Sequence, residues 1–459
     1  MTHRIVVLGG GYAGLTTAKR LGRLLPDAHI TLVNERERFV HRILLHQAAA
    51  GRDLDAPRLA DLLRGTNVEL VVGRAAGIDV ERRQVAVVGA ERRNSPSRAA
   101  PRPPTKQGGV SVTTEGSADT ASPGSSSRSR VPQGAETTGA TSIGYDSGTP
   151  RGASSPRVPQ GSEAVIGYDT LVYALGSVGD MTRVPGVAEH AYGVSGRDEA
   201  AALRDAVARN DSGTVTVVGA GLTGAELACE LAGRHPRARV RLVSRGEAGG
   251  WLSPRGKRHA RAAFRRLGIE VMSGVGVTAV KDGAVVVDGG SVADSDVTVW
   301  AGGFTAPPLA AEAGLDVDGL GRIPIDDTMR TLARPEIYAI GDSAAFTSRH
   351  GNELRMACAA AIPMAWHAAD VIAARLSGRS VPPFHFRFVQ QAIGLGPGDG
   401  LVQYVRPDDS MVNAVLTGRT AARYKDFVCW FVAKTLPHTG PYTPRRRHPM
   451  LPRPQVPVG

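Results

Sequence analysis

Cysteine is nearly missing from this chain. The three present among 459 residues, Cys229, Cys358 and Cys429, form no CxxC, no paired zinc spacing and no even disulfide framework. Such scarcity reads as a chain kept in a reducing compartment. Long apolar runs are missing too: none approaches the roughly 18 residues that a membrane-spanning helix needs. Strand residues begin at Ile5, where a charged-then-apolar leader would otherwise stand. The expectation is a cytoplasmic protein that does not cross a membrane. Acidic residues are outnumbered by basic ones, 43 against 55, and the net charge is +12. A surplus of that size attracts nucleic acid or an anionic surface. The arginines nevertheless gather on no nucleic-acid motif, so no nucleic-acid partner is expected.

Many of those arginines fall in two segments with almost no large apolar residues. Residues 90–163 are rich in Ser, Gly, Pro, Thr and Arg and cannot offset their own ordering entropy, which predicts a disordered insertion. It holds a near copy of itself, RVPQGAE recurring as RVPQGSE, with IGYD after each. That is local duplication rather than a solenoid. Residues 437–459 place an Arg cluster among prolines and read as a solvated tail rather than a docking site. The rest of the chain, in a sequence 42% hydrophobic overall, is long enough for two or three domains.

Between these segments the chain opens a nucleotide-binding pattern twice. VVLGGGYAGLTTAK begins at Val6: an apolar strand, a glycine turn, then helical spacing of Ala and Leu. Gly9 permits the tight turn, Gly11 lets backbone approach a pyrophosphate, and Gly14 lets helix and strand pack closely. The helix N-terminus then turns its positive end to the phosphates. A second strand, 29–33, ends in Asn34 and Glu35. A carboxylate there accepts hydrogen bonds from ribose hydroxyls, so Glu35 is the expected ribose ligand and Asn34 the second choice.

The same grammar returns at VVGAGLTGAELA, with Gly219, Gly221 and Gly224 in the glycine places. Here the following strand, 239–243, runs into Ser244 and Arg245. A hydroxyl and a guanidinium suit a 2′-phosphate, which leans the second site towards NADPH; Glu247 is close enough to reverse this. Two dinucleotide folds in one chain imply electron transfer between two dinucleotides, one a flavin and the other a nicotinamide. YDTLVYALGS, 168–177, ends in small residues where the chain must pass close to a cofactor. RPEIYAIGDSAAF ends a strand in Gly341 and Asp342, an aspartate able to accept from a ribityl hydroxyl.

With these four motifs in this order the chain resembles the two-dinucleotide flavoprotein reductases, most nearly the type II NADH dehydrogenases, single-subunit NADH:quinone oxidoreductases. The resemblance implies an α/β fold of two nested Rossmann-like domains, binding FAD and NAD(P)H, with a small C-terminal region. Its flavin domain would comprise 1–89, 164–212 and 301–383, the nicotinamide domain 213–300, and an acceptor, membrane or dimer region 384–436. It carries the FAD adenylate site to Gly9, Gly11, Ala13, Gly14, Glu35 and Arg36. The crossover beside the flavin goes to Ala174 and Gly176, and the second FAD signature to Gly341 and Asp342. The nicotinamide site goes to Gly219, Gly221, Gly224, Ser244 and Arg245. Glu226 matches a glutamate near the meeting point of nicotinamide and flavin; the alternative is a helix-terminal glutamate stabilised by the dipole. The implied reaction is hydride transfer from nicotinamide C4 to flavin N5, with electrons passed on to a quinone-like acceptor.

The chain also departs from its relatives' patterns. ERFVHRILLHQAAAG has no cysteine pair where disulfide reductases carry one, which excludes a dithiol relay there. Cys358 among alanines reads as packing, with a redox role beside the flavin as the alternative; Cys229 and Cys429 read as structural. IPMAWH, 362–367, stands where the type II enzymes carry AQxAxQ, which puts quinone in doubt. His367 there is either a proton donor to the acceptor or a structural histidine. ARYKDFVCWFVAKTL carries Phe427, Val428, Trp430, Phe431 and Val432 flanked by Arg423, Lys425 and Lys434. It fits an interfacial helix with cationic edges, placing the protein on the cytoplasmic face of a membrane, or a helix buried in the fold or in a homodimer. Two rival functions stay open: a soluble NAD(P)H reductase serving a protein or small-molecule acceptor, and an FAD-retaining NAD(P)H sensor without turnover.

Overall fold

The computed structural model describes residues 2–93, 164–436 and 438. The expected insertion and tail lie outside the described residues apart from 90–93 and 438. Residues 90–93 belong not to the insertion but to the strand Gln84–Arg93, whose last residues pair antiparallel with Leu70, Val71 and Val72. A ladder to a buried neighbour outweighs the polar composition.

Near-continuous Val, Ile and Leu runs, buried on both faces, make parallel strands. The first sheet has seven strands in the order Ile337–Ala339, Thr170–Tyr173, Arg4–Leu8, His29–Asn34, Val68–Asp79, Gln84–Arg93, Ala164–Gly167. It is parallel as far as Val68–Asp79 and then closes with an antiparallel hairpin and strand. Tyr12–Leu24 packs against the long helix Cys358–Leu376. The Thr17 hydroxyl donates to the Ala365 carbonyl at 3.1 Å, and Arg20 grips Asp370 through two bonds of 2.7 and 2.8 Å.

The second sheet is parallel throughout: Glu270–Ser273, Arg239–Ser244, Thr214–Val218, Val297–Trp300, Ala191–Tyr192. Its last strand and the helix Arg197–Arg209 lie before the boundary expected at 213. The helix buries Ala200, Leu203, Ala206 and Val207 in the second core, not the first. A two-residue strand carries no periodicity, so only its pairing with Val297–Trp300 assigns it. A three-stranded antiparallel meander, Gln390–Gly394, Gly400–Val405 and Met411–Thr417, then leads into the helix Gly418–Thr435.

The two sheets repeat one local design at a constant separation along the chain. Gly9 N–H donates to the Val33 carbonyl at 2.8 Å, and Gly219 N–H to that of Val243 at 2.8 Å. Both glycines have positive φ, +97° and +104°, which a residue with a Cβ rarely adopts. By the same register Gly14 matches Gly224, Asn34 matches Ser244, and Glu35 matches Arg245.

Candidate functional site

Both glycine turns open onto a cavity of about 1280 Å³. Gly11 and Gly221 each face open space where a Cβ would stand, so ligand can approach the backbone. Gly14 and Gly224 do the opposite: a Cβ there would lie 1.8 Å from the carbonyl oxygen of Gly9 or Gly219. They serve close packing and do not line the cavity. Asn34 Oδ1 accepts from Gly10 N–H at 2.7 Å and its amide donates to the Arg36 carbonyl at 2.7 Å. It fixes the turn, and the exposed Glu35 carboxylate lines the cavity beside Asn34 and Arg36. Arg36 is engaged by Asp198 at 2.8 Å.

Deeper in, the two remaining flavin-type motifs are sewn together. Ser177 donates to Asp342 at 2.8 Å and Ser343 to the Gly176 carbonyl at 2.9 Å. Arg42 adds a bond of 2.6 Å to the Ser177 carbonyl. Burial presses the Arg42 guanidinium below its ordinary range, opposed by the nearby Asp342. Ala13, Ala174, Gly176, Gly341 and Asp342 all line the same cavity.

At the other side Glu226, only 3% exposed, is held by groups from distant elements rather than by its own helix terminus. Its Oε1 accepts from Lys425 Nζ and, at 2.8 Å, from Gly394 N–H; His46 Nδ1 lies 3.8 Å from Oε2. His46 and Lys425 are only 4% and 8% exposed. Burial pushes the Lys425 ammonium down, to about 8, and keeps the His46 ring neutral. The Nε2 of His46 has no hydrogen-bond partner among the described residues, an orphaned polar atom in a group that lines the cavity.

A family model described as pyridine nucleotide-disulphide oxidoreductase matches residues 3–370. The chain belongs to this family. It is 33% identical over 222 residues to an NADH dehydrogenase-like protein of Mycobacterium tuberculosis, a match covering 45% of this chain and 56% of that protein. The match thus spans just over half the length of that relative. It is 23% identical over 416 residues to the demethylphylloquinone reductase of Synechocystis, covering 87% of this chain and 86% of that one. Among solved structures, NDH2 from Plasmodium falciparum in complex with NADH superposes with a TM-score of 0.68 at 14% identity, covering 98% of this chain and 100% of that chain. The likeness is one of fold. Two α/β folds, each built around its own parallel sheet, and a C-terminal region are the architecture of this family member.

Not every expected residue joins the cavity. Ser244 and Arg245 stand outside its lining, at the strand end beyond the second turn. His367 does not line it either; its Nε2 bonds the Asp327 carbonyl at 3.0 Å and its ring packs on Phe384 at 5.2 Å. The geometry is that of a structural histidine, not a proton donor to the acceptor. Lys425, read above as a cationic edge of an interfacial helix, is buried against Glu226 instead. Ala421 and Lys425 are the buried residues of that helix, and their i,i+4 spacing was the signal available in the sequence. His46 and Arg42 carry no motif that would have singled them out. Cys358 and Cys429 both line the cavity, and burial pushes the Cys358 thiol up to about 12, far from a reactive thiolate. Among the described residues no cluster suits a metal ion, and no helix is long and apolar enough to cross a membrane.

Proposed function

We propose that this oxidoreductase binds FAD in its first half, takes hydride from NAD(P)H held by its second half, and delivers electrons to a quinone-like acceptor. The observation that carries the reading is a single cavity lined by both glycine turns and by the Ser177–Asp342 junction. The relatives named above supply the acceptor class. A flavin bound here would supply the two-electron chemistry that links hydride donor and acceptor. Gly9 and Gly11 with the N-terminus of Tyr12–Leu24 receive the FAD pyrophosphate, Glu35 an adenosine ribose, and Asp342 the ribityl chain. Gly219 and Gly221 receive the pyrophosphate of the nicotinamide nucleotide. Reduction of a quinone consumes protons, and Lys425 Nζ holds one beside the cavity in its bond to Glu226. Anaerobic titration of the purified protein tests this: NADH or NADPH bleaches its yellow flavin band, and a protein that cannot be loaded with FAD sinks the reading.

The acceptor's origin bears on the helix Gly418–Thr435. Phe427, Trp430 and Phe431 are 56%, 56% and 53% exposed and cluster on one face, with ring centroids 6.0 and 6.1 Å apart. Exposed Arg423 and Lys434 flank them. Aromatics edged by cations suit the headgroup layer of an anionic membrane, where a lipid-soluble quinone is available. Flotation with anionic vesicles is expected to carry the wild type to the lipid fraction and to leave Phe427→Ser/Trp430→Ser/Phe431→Ser behind. A wild-type protein that stays with the soluble fraction as a dimer would instead assign the face to a second copy.

A further inference from the structure

The two halves of the fold invite a residue-by-residue comparison, because the second repeats the first at constant separation. Glu35 in the first half finds Arg245 at its place in the second, and Asn34 finds Ser244. An acid at this strand end accepts from unphosphorylated ribose hydroxyls and repels a phosphate; a guanidinium does the reverse. Arg245 is exposed and takes part in no hydrogen bond or ion pair among the described residues. Its five donors are uncommitted.

Glu247, two residues further along the chain, is the carboxylate that the sequence sets against this, and the structure engages it elsewhere. Its Oε2 accepts from Lys257 at 3.0 Å and its Oε1 from Arg261, both on the helix Pro254–Arg266. The loop that carries it is pinned as well. Ala248 N–H donates to Ser273 Oγ at 3.1 Å, Gly250 N–H donates to the Glu247 carbonyl at 2.8 Å, and Ser273 pairs in register with Ser244 on the adjoining strand. One carboxylate thus meets two cations before Arg245 is counted, and the local balance at the strand end is positive.

We infer that the nicotinamide half selects a 2′-phosphorylated dinucleotide, NADPH over NADH, with Arg245 and Ser244 as the residues that read the phosphate. The inference rests on the reading of that half as the nicotinamide site. It differs from that reading in predicting discrimination by a single phosphate group, carried by charge-assisted hydrogen bonds.

Isothermal titration of the FAD-loaded full chain with NADP⁺ and with NAD⁺ tests it. The expected result is NADP⁺ bound about tenfold more tightly or better, since one charge-assisted phosphate contact is worth at least that factor. Arg245→Ala is expected to bring NADP⁺ to the level of NAD⁺ and to leave NAD⁺ unchanged; Arg245→Glu is expected to invert the order. Both variants alter an exposed, unpaired side chain, and their flavin content reports that they fold. Rising salt should narrow the wild-type ratio and leave that of Arg245→Ala flat. NAD⁺ bound as tightly as NADP⁺, or a ratio that Arg245→Ala does not move, overturns the inference. If NAD⁺ binds the better and NADH bleaches the flavin, the electron-transfer reading stands and only the selectivity falls. If neither nucleotide binds the yellow protein, both fall together.

Discussion

Gly14→Val yields a chain that does not retain FAD. A Cβ at this position lies 1.8 Å from the Gly9 carbonyl oxygen, 3.0 Å from the carbonyl carbon and 3.3 Å from Ala174 Cβ. The first two are backbone atoms and have no rotamer to escape into. Gly9 cannot yield, because its own φ is +97° and the Ala174 carbonyl oxygen lies only 2.4 Å from where a Cβ on Gly9 would stand. The helix Tyr12–Leu24 must therefore lift off the turn, at a cost of about 3 kcal/mol or more, the upper range for overpacking. Its N-terminal amides then leave the place proposed above for the pyrophosphate. The readout is the ratio of flavin to protein absorbance after loading with excess FAD, beside a thermal melt. The matched variant is Gly224→Val, whose Cβ meets the Gly219 carbonyl oxygen at the same 1.8 Å. It is expected to stay yellow while losing reduction by either nucleotide. Opposite behaviour of the two variants would exchange the cofactors between the halves, and full flavin retention by Gly14→Val would remove FAD from the first turn.

Lys425→Met is the second large effect. It removes the ammonium that neutralises Glu226, leaving a carboxylate 3% exposed with one backbone donor and a neutral imidazole. Breaking a buried pair from one side costs about 3–5 kcal/mol, because the remaining charge is stranded in a poorly solvating interior. Urea unfolding followed by tryptophan fluorescence measures the loss. Glu226→Gln with Lys425→Met restores most of it, since a neutral amide still bonds Gly394 and no lone charge remains. A Lys425→Met protein as stable as the parent would show that the pair is not formed. Flavin reduction by nicotinamide is expected to persist in the double variant, whereas quinone turnover falls, separating a structural role from a protonic one.

Much of the site was legible because its chemistry is local. Gly9, Gly11 and Gly14 lie within six residues of chain, and their roles follow from a strand entering a helix through one tight turn. The same holds for Gly219, Gly221 and Gly224, and for Gly341 with Asp342. What misled was residue type read without its surroundings. Of the two readings open for His367, its bond to the Asp327 carbonyl favours the structural one. Lys425 looked like a solvated charge at the edge of an apolar helix, but its i,i+4 partner Ala421 marks the buried side.

The sequence by itself determined the two nucleotide turns, the contrast between Glu35 and Arg245, and the missing dithiol, all features of neighbouring residues whose backbone geometry is set within one strand, turn and helix. Only the tertiary structure decided that Lys425 and Gly394 meet Glu226, that Arg42 and Ser177 brace Asp342, and that Ala191–Tyr192 joins the second sheet. These contacts join segments remote along the chain, where no short-range pattern exists to be read. Burial brings them together, and desolvation then requires each polar group to find a partner.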